Sequence, residues 1–113
     1  MVDAYKVEFA SLAKIYVANN HYPSIHVYTV DEALIGWIRY HLGARVIEHK
    51  GTNDVVITKR VDLGRAAAIM AAYCDPRVRP AALTLLKYCR MDNVDSRKRE
   101  VDRLRRQLKV LKG

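Results

Sequence analysis

Residues 21–51 read HYPSIHVYTVDEALIGWIRYHLGARVIEHKG, and this segment decides the fold because its hydrophobic period changes twice. Ile25 and Val27 alternate with polar residues, which is the two-residue period of a half-buried strand. Apolar residues then recur at helical spacing up to Leu42, and Gly43 can end a helix in a left-handed conformation. The two-residue alternation of apolar and polar side chains returns immediately after Gly43. The segment therefore predicts a short helix held between two strands.

The chain before this helix predicts a hairpin. Leu12–Asn19 and Ser24–Val30 both alternate, and residues 19–21 between them have turn chemistry. Either Thr29 or Asp31 can cap the helix that follows. A further helix of one or two turns is predicted at the N-terminus, over Met1–Phe9.

The chain after this helix predicts a second hairpin and two more helices. The strands are Ala44–His49 and Asp54–Arg60, around the turn Lys50-Gly51-Thr52-Asn53. Asp62 can cap a helix over Leu63–Tyr73. Pro80 suits the first turn of another helix, Ala81–Met91.

The predicted order is α-ββ-α-ββ-α-α, followed by a basic C-terminal helix. Two strand pairs separated by a helix predict an α+β fold: an antiparallel four-stranded sheet with helices on one face and the other face free. We assign residues 1–92 to this domain and residues 93–113 to the amphipathic C-terminal helix.

The positive charge is concentrated towards the C-terminus. The net charge is +8, but residues 1–74 hold eight Lys and Arg against seven Asp and Glu, whereas residues 75–113 hold twelve against five. This asymmetry favours an anionic partner, nucleic acid more than membrane, because residues 75–113 carry no Trp or Phe anchor. A solubilising charged helix is the alternative. Without a long apolar run or signal-peptide pattern, we expect an intracellular protein of the cytoplasm, nucleoid or host cell.

The reactive side chains indicate no independent enzyme site. Cys74 and Cys89 lack the close spacing of a metal knuckle, so we interpret both as buried, reduced thiols. The four histidines lack a metal-ligand spacing. Asp31 and Glu32 are explained by helix capping and the helix dipole.

The free face of the sheet is the candidate binding surface. A twisted ribbon can enter the major groove of DNA, where cations hold phosphates while Tyr, His and Ser contact base edges. An ordinary solvated sheet face is the alternative. The candidates are Lys14, Tyr16, Ser24, His26 and Tyr28 from the first hairpin and Arg45, Lys50, Lys59 and Arg60 from the second.

The C-terminal segment adds a cationic helix. Val94, Val101, Leu104, Leu108 and Leu111 form an apolar stripe that predicts docking onto the domain or onto a dimer mate rather than an independent zipper. The cations around it are candidates for phosphate contact, with solubilising charge as the alternative. They are Arg97, Lys98, Arg99, Arg103, Arg105 and Arg106.

Three passages together resemble the LAGLIDADG homing endonucleases. They are YPSIHVYTVDEALIGWIRYHLGARVIEHKG (22–51), DVVITKRVDLGRAAAIMAAY (54–73) and DPRVRPAALTLLKYC (75–89), and the resemblance covers roughly residues 8–92. That family has a strand, a helix of the form LLxWIKxxLG, a hairpin, a helix and a Pro-initiated helix that begins with basic residues. The matching positions are Ile25, Val27, Asp31, Leu34, Trp37, Ile38, Leu42, Gly43, Pro76, Val78 and Arg79, and the basic Arg77 and Arg79 become DNA-binding candidates.

The resemblance implies a saddle-shaped sheet that straddles duplex DNA, with single-motif members acting as homodimers. The family's defining helix ends in an acidic residue followed by Gly, so that two helices pack closely and bring two carboxylates to Mg²⁺. The corresponding residues 1–12 read MVDAYKVEFASL. In one alignment Glu8 is the catalytic and metal-binding candidate, and Phe9 stands at the Gly position, where it would obstruct the helix contact. In the other, Ala10 stands at the Gly position and Phe9 replaces the carboxylate.

Three functions follow from these features. The first is a double-stranded DNA-binding protein with impaired or lost cleavage, which needs no cofactor for binding. The second is an active homodimeric endonuclease that hydrolyses phosphodiesters with Mg²⁺. The third is a protein-interaction module, or an inhibitor of a nucleic-acid-handling complex, whose basic surface meets an acidic protein groove.

Overall fold

The computed structural model describes residues 3–18 and 22–112, which form five helices and one four-stranded sheet. The strands are all antiparallel, in the order β1-β2-β4-β3, which confirms the predicted α+β class. Within the described ranges, every helix is too short or too polar to cross a bilayer. The elements are α1 Ala4–Leu12, β1 Lys14–Val17, β2 Pro23–Thr29, α2 Glu32–Leu42, β3 Arg45–His49, β4 Thr52–Ile57, α3 Arg60–Tyr73, α4 Arg79–Arg90 and α5 Val94–Lys112.

Helix α2 begins and ends as its local sequence dictates. The Asp31 carboxylate accepts hydrogen bonds from the backbone N–H groups of Ala33 and Leu34, at 3.0 and 3.2 Å, so Asp31 rather than Thr29 is the N-cap. Thr29 instead accepts a hydrogen bond from the Asp31 N–H. Gly43 ends the helix with a φ of 59°, a left-handed conformation that favours glycine.

The core lies between one face of the sheet and the helices. Ile25 and Val27 of β2 are fully buried and lie opposite Ile57 and Val55 of β4. All five helices cover these strand residues with apolar side chains, including Phe9, Ile38, Met70, Leu85 and Leu104. Burying one such side chain contributes about 1.5–3 kcal/mol, so this layer holds the helices to one face of the sheet.

The second hairpin differs from the prediction. His49 pairs directly with Thr52, so the turn contains only Lys50 and Gly51, and Gly51 has a φ of 77°. Strand β4 consequently starts at Thr52 and ends at Ile57, because the chain turns into α3 at Arg60. The predicted strand Asp54–Arg60 was therefore displaced along the chain.

Two other boundaries also differ. Asp62 does not cap α3: Lys59 is at the cap position without a side-chain hydrogen bond, and Asp62 lies in the first turn, where its charge suits the helix dipole. Helix α1 extends to Leu12, so β1 begins only at Lys14. The predicted turn at residues 19–21 lies outside the described residues, as do Met1 and Val2.

Helix α5 packs on α4 and alongside β1, and Val101 and Leu104 join the core. Its first turn is held by Arg97, which donates a hydrogen bond to the Met91 carbonyl at 3.0 Å. Further along, Arg105 Nη2 donates to the carbonyl of Ala18 at 2.9 Å, just beyond β1. These contacts fix α5 beside the edge of the sheet.

Cys89 gives a testable consequence of this packing. Loss of solvent on burial raises the pKa of its thiol from 9.0 to about 11, against a smaller lowering by Arg60. Since the thiolate is the reactive form, Cys89 in the native protein at pH 8 should be labelled by iodoacetamide roughly a hundredfold more slowly than an ordinary thiol. Peptide mapping by mass spectrometry measures this rate, with the urea-unfolded protein as the control. Equal rates in the two states would contradict the burial.

Candidate nucleic-acid interface

The sheet face opposite the helices carries a row of four residues that crosses all four strands. Lys14 of β1 lies opposite His26 of β2, His26 lies opposite Val56 of β4, and Val56 lies opposite Arg45 of β3. Directly paired residues point to the same face of a sheet. With strands about 4.8 Å apart, the two cations stand roughly 14 Å from each other at their Cα atoms. We call Lys14, His26, Val56 and Arg45 the cation row, after the cations at its two ends.

Two shorter rows lie beside it. Tyr28 pairs with Asp54, and Asp54 pairs with Ile47; on the other side, Tyr16 pairs with Ser24. Tyr28 and Ile47 are each 44% exposed, so this part of the face lies open to solvent. Burial in β2 alternates between the open side chains and those of the core, which is the pattern that its sequence predicts.

A hydrogen-bonded relay occupies the centre of the open face. Asp54 Oδ1 lies 2.9 Å from His26 Nδ1, and His26 Nε2 lies 3.0 Å from the Ser24 hydroxyl. The Asp54 side chain is only 9% exposed and that of His26 21%. We call Ser24, His26 and Asp54 the relay. Its three members come from two neighbouring strands, and strand pairing alone brings them together.

Aromatic rings bracket the imidazole of the relay. Tyr16 meets His26 edge-on with ring centroids 4.9 Å apart, and Tyr28 stacks on it at 6.2 Å. Loss of solvent raises the pKa of the Tyr28 hydroxyl, and the Asp54 charge and a hydrogen bond to Tyr16 raise it further. Tyr28 therefore stays a neutral hydroxyl that can donate and accept hydrogen bonds.

The relay has the order of hydrogen bonds found in serine hydrolases. Such a site also needs backbone N–H donors aimed at the oxyanion that forms beside the serine. Ser24 stands within a paired strand, opposite Tyr16, where backbone groups serve the sheet ladder. We therefore interpret the relay as a means of orienting hydrogen bonds on the open face.

Asp54 and His49 were missed by sequence reasoning. The Asp54 carboxylate also lies 4.0 Å from His49 Nε2, so it is the acidic centre of a group of imidazoles and phenols. The sequence signal was the alternation of Thr52, Asp54 and Val56 directly after a two-residue Lys50-Gly51 turn. The predicted strand began only at Asp54, with Thr52 assigned to the turn, so the pattern was not recognised.

A second cationic surface lies where α5 passes β1. A groove of about 650 Å³ has Ile15, Val17 and Leu108 among its apolar lining. Five cations line it, one from β1 and four from α5. They are Lys14, Arg105, Arg106, Lys109 and Lys112. Of these, Lys109 and Lys112 were not among the predicted candidates. This groove continues the positive charge of the cation row past the edge of the sheet.

The remaining predicted cations are dispersed. Lys50 lies in the β3–β4 turn, whereas Lys59 and Arg60 lie at the β4–α3 junction rather than on the sheet, because β4 ends early. Arg60 donates a hydrogen bond to the Met91 carbonyl, as Arg97 does.

The basic residues between α3 and α4 are also engaged within the chain. Arg77 pairs with Asp75 at 3.2 Å, and this hydrogen-bonded ion pair lowers the pKa of the Asp75 carboxyl. Arg79 Nε donates to the Ala71 carbonyl. On α5, Lys98 is exposed, and Arg99 and Arg103 line a separate cleft of about 490 Å³ beside the acidic Glu100 and Asp102.

Helix α1 holds the predicted catalytic candidate. Glu8 is partly exposed and lies one turn before the end of the helix, whereas Phe9 is fully buried, 6.4 Å from the Trp37 ring. Phe9 therefore points into the core of its own chain, away from the outer surface of α1. Across residues 3–18 and 22–112, no three His, Cys, Asp or Glu side chains are grouped to hold a metal ion. Within one chain, the donors around Glu8 do not make a complete Mg²⁺ site.

Comparison with solved structures finds this fold among homing endonucleases. An archaeal intron-encoded homing endonuclease, I-Vdi141I, complexed with DNA, is 14% identical, with a TM-score of 0.57 over 91% of this chain and 81% of that one. The homing endonuclease I-CvuI, in complex with the I-CreI target in the presence of 2 mM Mg with the DNA not cleaved, is 15% identical, with a TM-score of 0.51 over 75% and 67%. No family model and no curated protein matches the sequence. At this identity the likeness shows the fold alone, one that this chain shares with these two homing endonucleases.

Proposed function

We propose that this protein binds double-stranded DNA by inserting the open face of its sheet into the major groove. The observation that carries the proposal is the cation row, in which Lys14 and Arg45 flank His26 across the full width of the sheet. The major groove is about 12 Å wide, comparable with the roughly 14 Å between the two flanking Cα positions. Cations so spaced can reach phosphates on both sides of one groove.

The polar residues between these cations suit contact with bases. Ser24 and Tyr28 carry hydroxyl groups on the same face, and these groups can form hydrogen bonds with base edges, while both ring nitrogens of His26 are engaged within the relay. The groove between β1 and α5 adds Lys109 and Lys112 on the side of Lys14. We infer that α5 follows a phosphate backbone beyond the sheet. The two fold neighbours are complexes with DNA, which supports DNA as the partner.

We further propose that cleavage is impaired or lost. Supporting this, Glu8 belongs to no group of three metal-ligating side chains within residues 3–18 and 22–112, and Phe9 and Ala10, which follow it, have no metal-ligating side-chain atom. Binding then needs no cofactor.

An active homodimer with Mg²⁺ is the second candidate, and the inward orientation of Phe9 favours it because α1 remains free to approach a partner copy. In that arrangement each chain would contribute one Glu8 to a shared site.

The test is fluorescence anisotropy with a duplex DNA at several salt concentrations. Because each phosphate contact releases a counterion, log Kd should rise with log salt by about 0.9 for every contact. Single-stranded DNA and RNA of the same sequence should bind more weakly. Salt-independent affinity, or no affinity near physiological ionic strength, would instead favour the protein-interaction module that meets an acidic partner.

Glu8→Gln separates the binding protein without cleavage from the active homodimer. For a binding protein without cleavage, the wild type leaves supercoiled and linear duplex intact with Mg²⁺ or Mn²⁺, and Glu8→Gln keeps the same Kd. Cutting by the wild type that disappears in Glu8→Gln, with the Kd unchanged, would establish the active homodimer instead.

A further inference from the structure

The relay has a defined direction of hydrogen bonding. A carboxylate accepts hydrogen bonds and cannot donate, so the 2.9 Å contact with Asp54 requires that His26 Nδ1 carry the proton. In a neutral imidazole, the other nitrogen is then an acceptor. The Ser24 hydroxyl, 3.0 Å from Nε2, must therefore donate its hydrogen to the ring.

This direction decides what Ser24 offers to a ligand. A hydroxyl has one hydrogen and two lone pairs, and the hydrogen of Ser24 is committed to His26. Its oxygen can only accept hydrogen bonds from outside. Ser24 is partly exposed on the open face. When this face enters the major groove of DNA, the Ser24 oxygen can therefore meet a hydrogen-bond donor on a base edge.

In the major groove only two base groups donate hydrogen bonds, the N4 amino group of cytosine and the N6 amino group of adenine. Guanine and thymine present acceptors, which an acceptor-only oxygen would repel. We propose that Ser24 selects cytosine or adenine at one base position, and that Asp54 and His26 are positioning residues that impose this choice by fixing the Ser24 proton. This inference rests on the proposed DNA binding.

Other charged and titratable groups face the relay from each neighbouring strand. Lys14 and Tyr16 approach from β1, Tyr28 from β2, and Arg45 and His49 from β3. Asp54 is the acidic member of this group, and its contact with His26 Nδ1 at 2.9 Å fixes which ring nitrogen carries the proton.

The first experiment examines the relay without DNA. Long-range ¹H–¹⁵N correlation spectra of the imidazole at neutral pH should show His26 with Nδ1 protonated and Nε2 unprotonated. In Asp54→Asn the amide can either donate or accept, so this single tautomer should give way to a mixture. A wild-type His26 protonated only at Nε2 would overturn the inference.

The second experiment measures base preference by selection from a randomised duplex library. The wild type should enrich cytosine or adenine at one position, and Ser24→Thr, which keeps the hydroxyl, should select the same bases. Ser24→Ala should lose the preference there, with affinity for the selected site lowered roughly three- to tenfold, the range of one net hydrogen bond. Asp54→Asn should relax the preference to include guanine or thymine while Ser24 is intact.

The outcomes separate this inference from the proposed function. Salt-dependent duplex binding with the same base preference in wild type, Ser24→Ala and Asp54→Asn would overturn the role of the relay and leave DNA binding standing. Failure of the wild type to bind any duplex would overturn the proposed function, and the role of Ser24 with it. Circular dichroism and thermal melting of each variant show that the fold is retained.

Discussion

Reversing the charge at both ends of the cation row, with Lys14→Glu and Arg45→Glu in one chain, is expected to reduce duplex DNA affinity by roughly a hundredfold or more. A hydrogen bond to a charged group contributes about 1.5–3 kcal/mol, and each substitution removes one such contact and adds a repulsive carboxylate. Both residues are exposed at the outer strands, so the fold should tolerate the change. Fluorescence anisotropy at constant ionic strength gives the two values of Kd.

The matched control reverses two charges on the helical layer. Arg39→Glu with Arg65→Glu changes the net charge by the same amount, but Arg39 lies in α2 and Arg65 in α3, on the far side of the sheet. Since distant charges are screened over about 10 Å at 0.1 M salt, this variant should lose only a few-fold in affinity. Equal losses in the two double variants would show that overall charge, rather than the open face, governs binding.

Phe9→Ala is expected to have the largest effect on stability, about 3–5 kcal/mol in the free energy of unfolding. The side chain is fully buried and lies against Trp37, whose other neighbour on α1 is Tyr5. Removing the ring would leave a cavity between α1 and α2 that these helices cannot close without moving. Chemical denaturation followed by tryptophan fluorescence measures the difference.

Leu12→Ala provides the comparison within the same helix. Leu12 is 38% exposed, so its truncation should cost less than half as much as that of Phe9. Similar losses of unfolding free energy at the two positions would mean that residues outside the inward face of α1 also stabilise the packing of this helix. Together the two variants establish whether Phe9 belongs to the core or to the outer surface of α1, which decides how closely two copies could approach through this helix.

The centre of the fold was predictable because its signals are local. In α2 the cap at Asp31, the spacing of Leu34, Ile38 and Leu42, and the stop at Gly43 all lie within thirteen residues and agree with one another. The alternation of β2 likewise indicates which side chains face the core. These signals need no knowledge of what packs against them.

The start of α3 was less predictable because the chain gives little local indication of it. Lys59 stands at the cap without a side-chain hydrogen bond, so the visible capping residue, Asp62, misplaced the boundary. The strand predicted to run to Arg60 then placed Lys59 and Arg60 on the open face, although β4 ends at Ile57. His26 and Asp54 are 28 positions apart, and only the register between β2 and β4 brings them together. A site that depends on strand register cannot be derived from periodicity alone.

The order of the strands also bears on fibril formation. β1 and β3 are the outer strands, and an unpaired backbone edge is a template on which strands of other molecules can polymerise. β3 presents the exposed Arg45, Glu48 and His49, whose charge and hydration oppose such growth, and β1 is only four residues long with α5 alongside. Removing α5 would uncover a short template, so truncated chains should be more prone to amyloid-like aggregation than the intact protein.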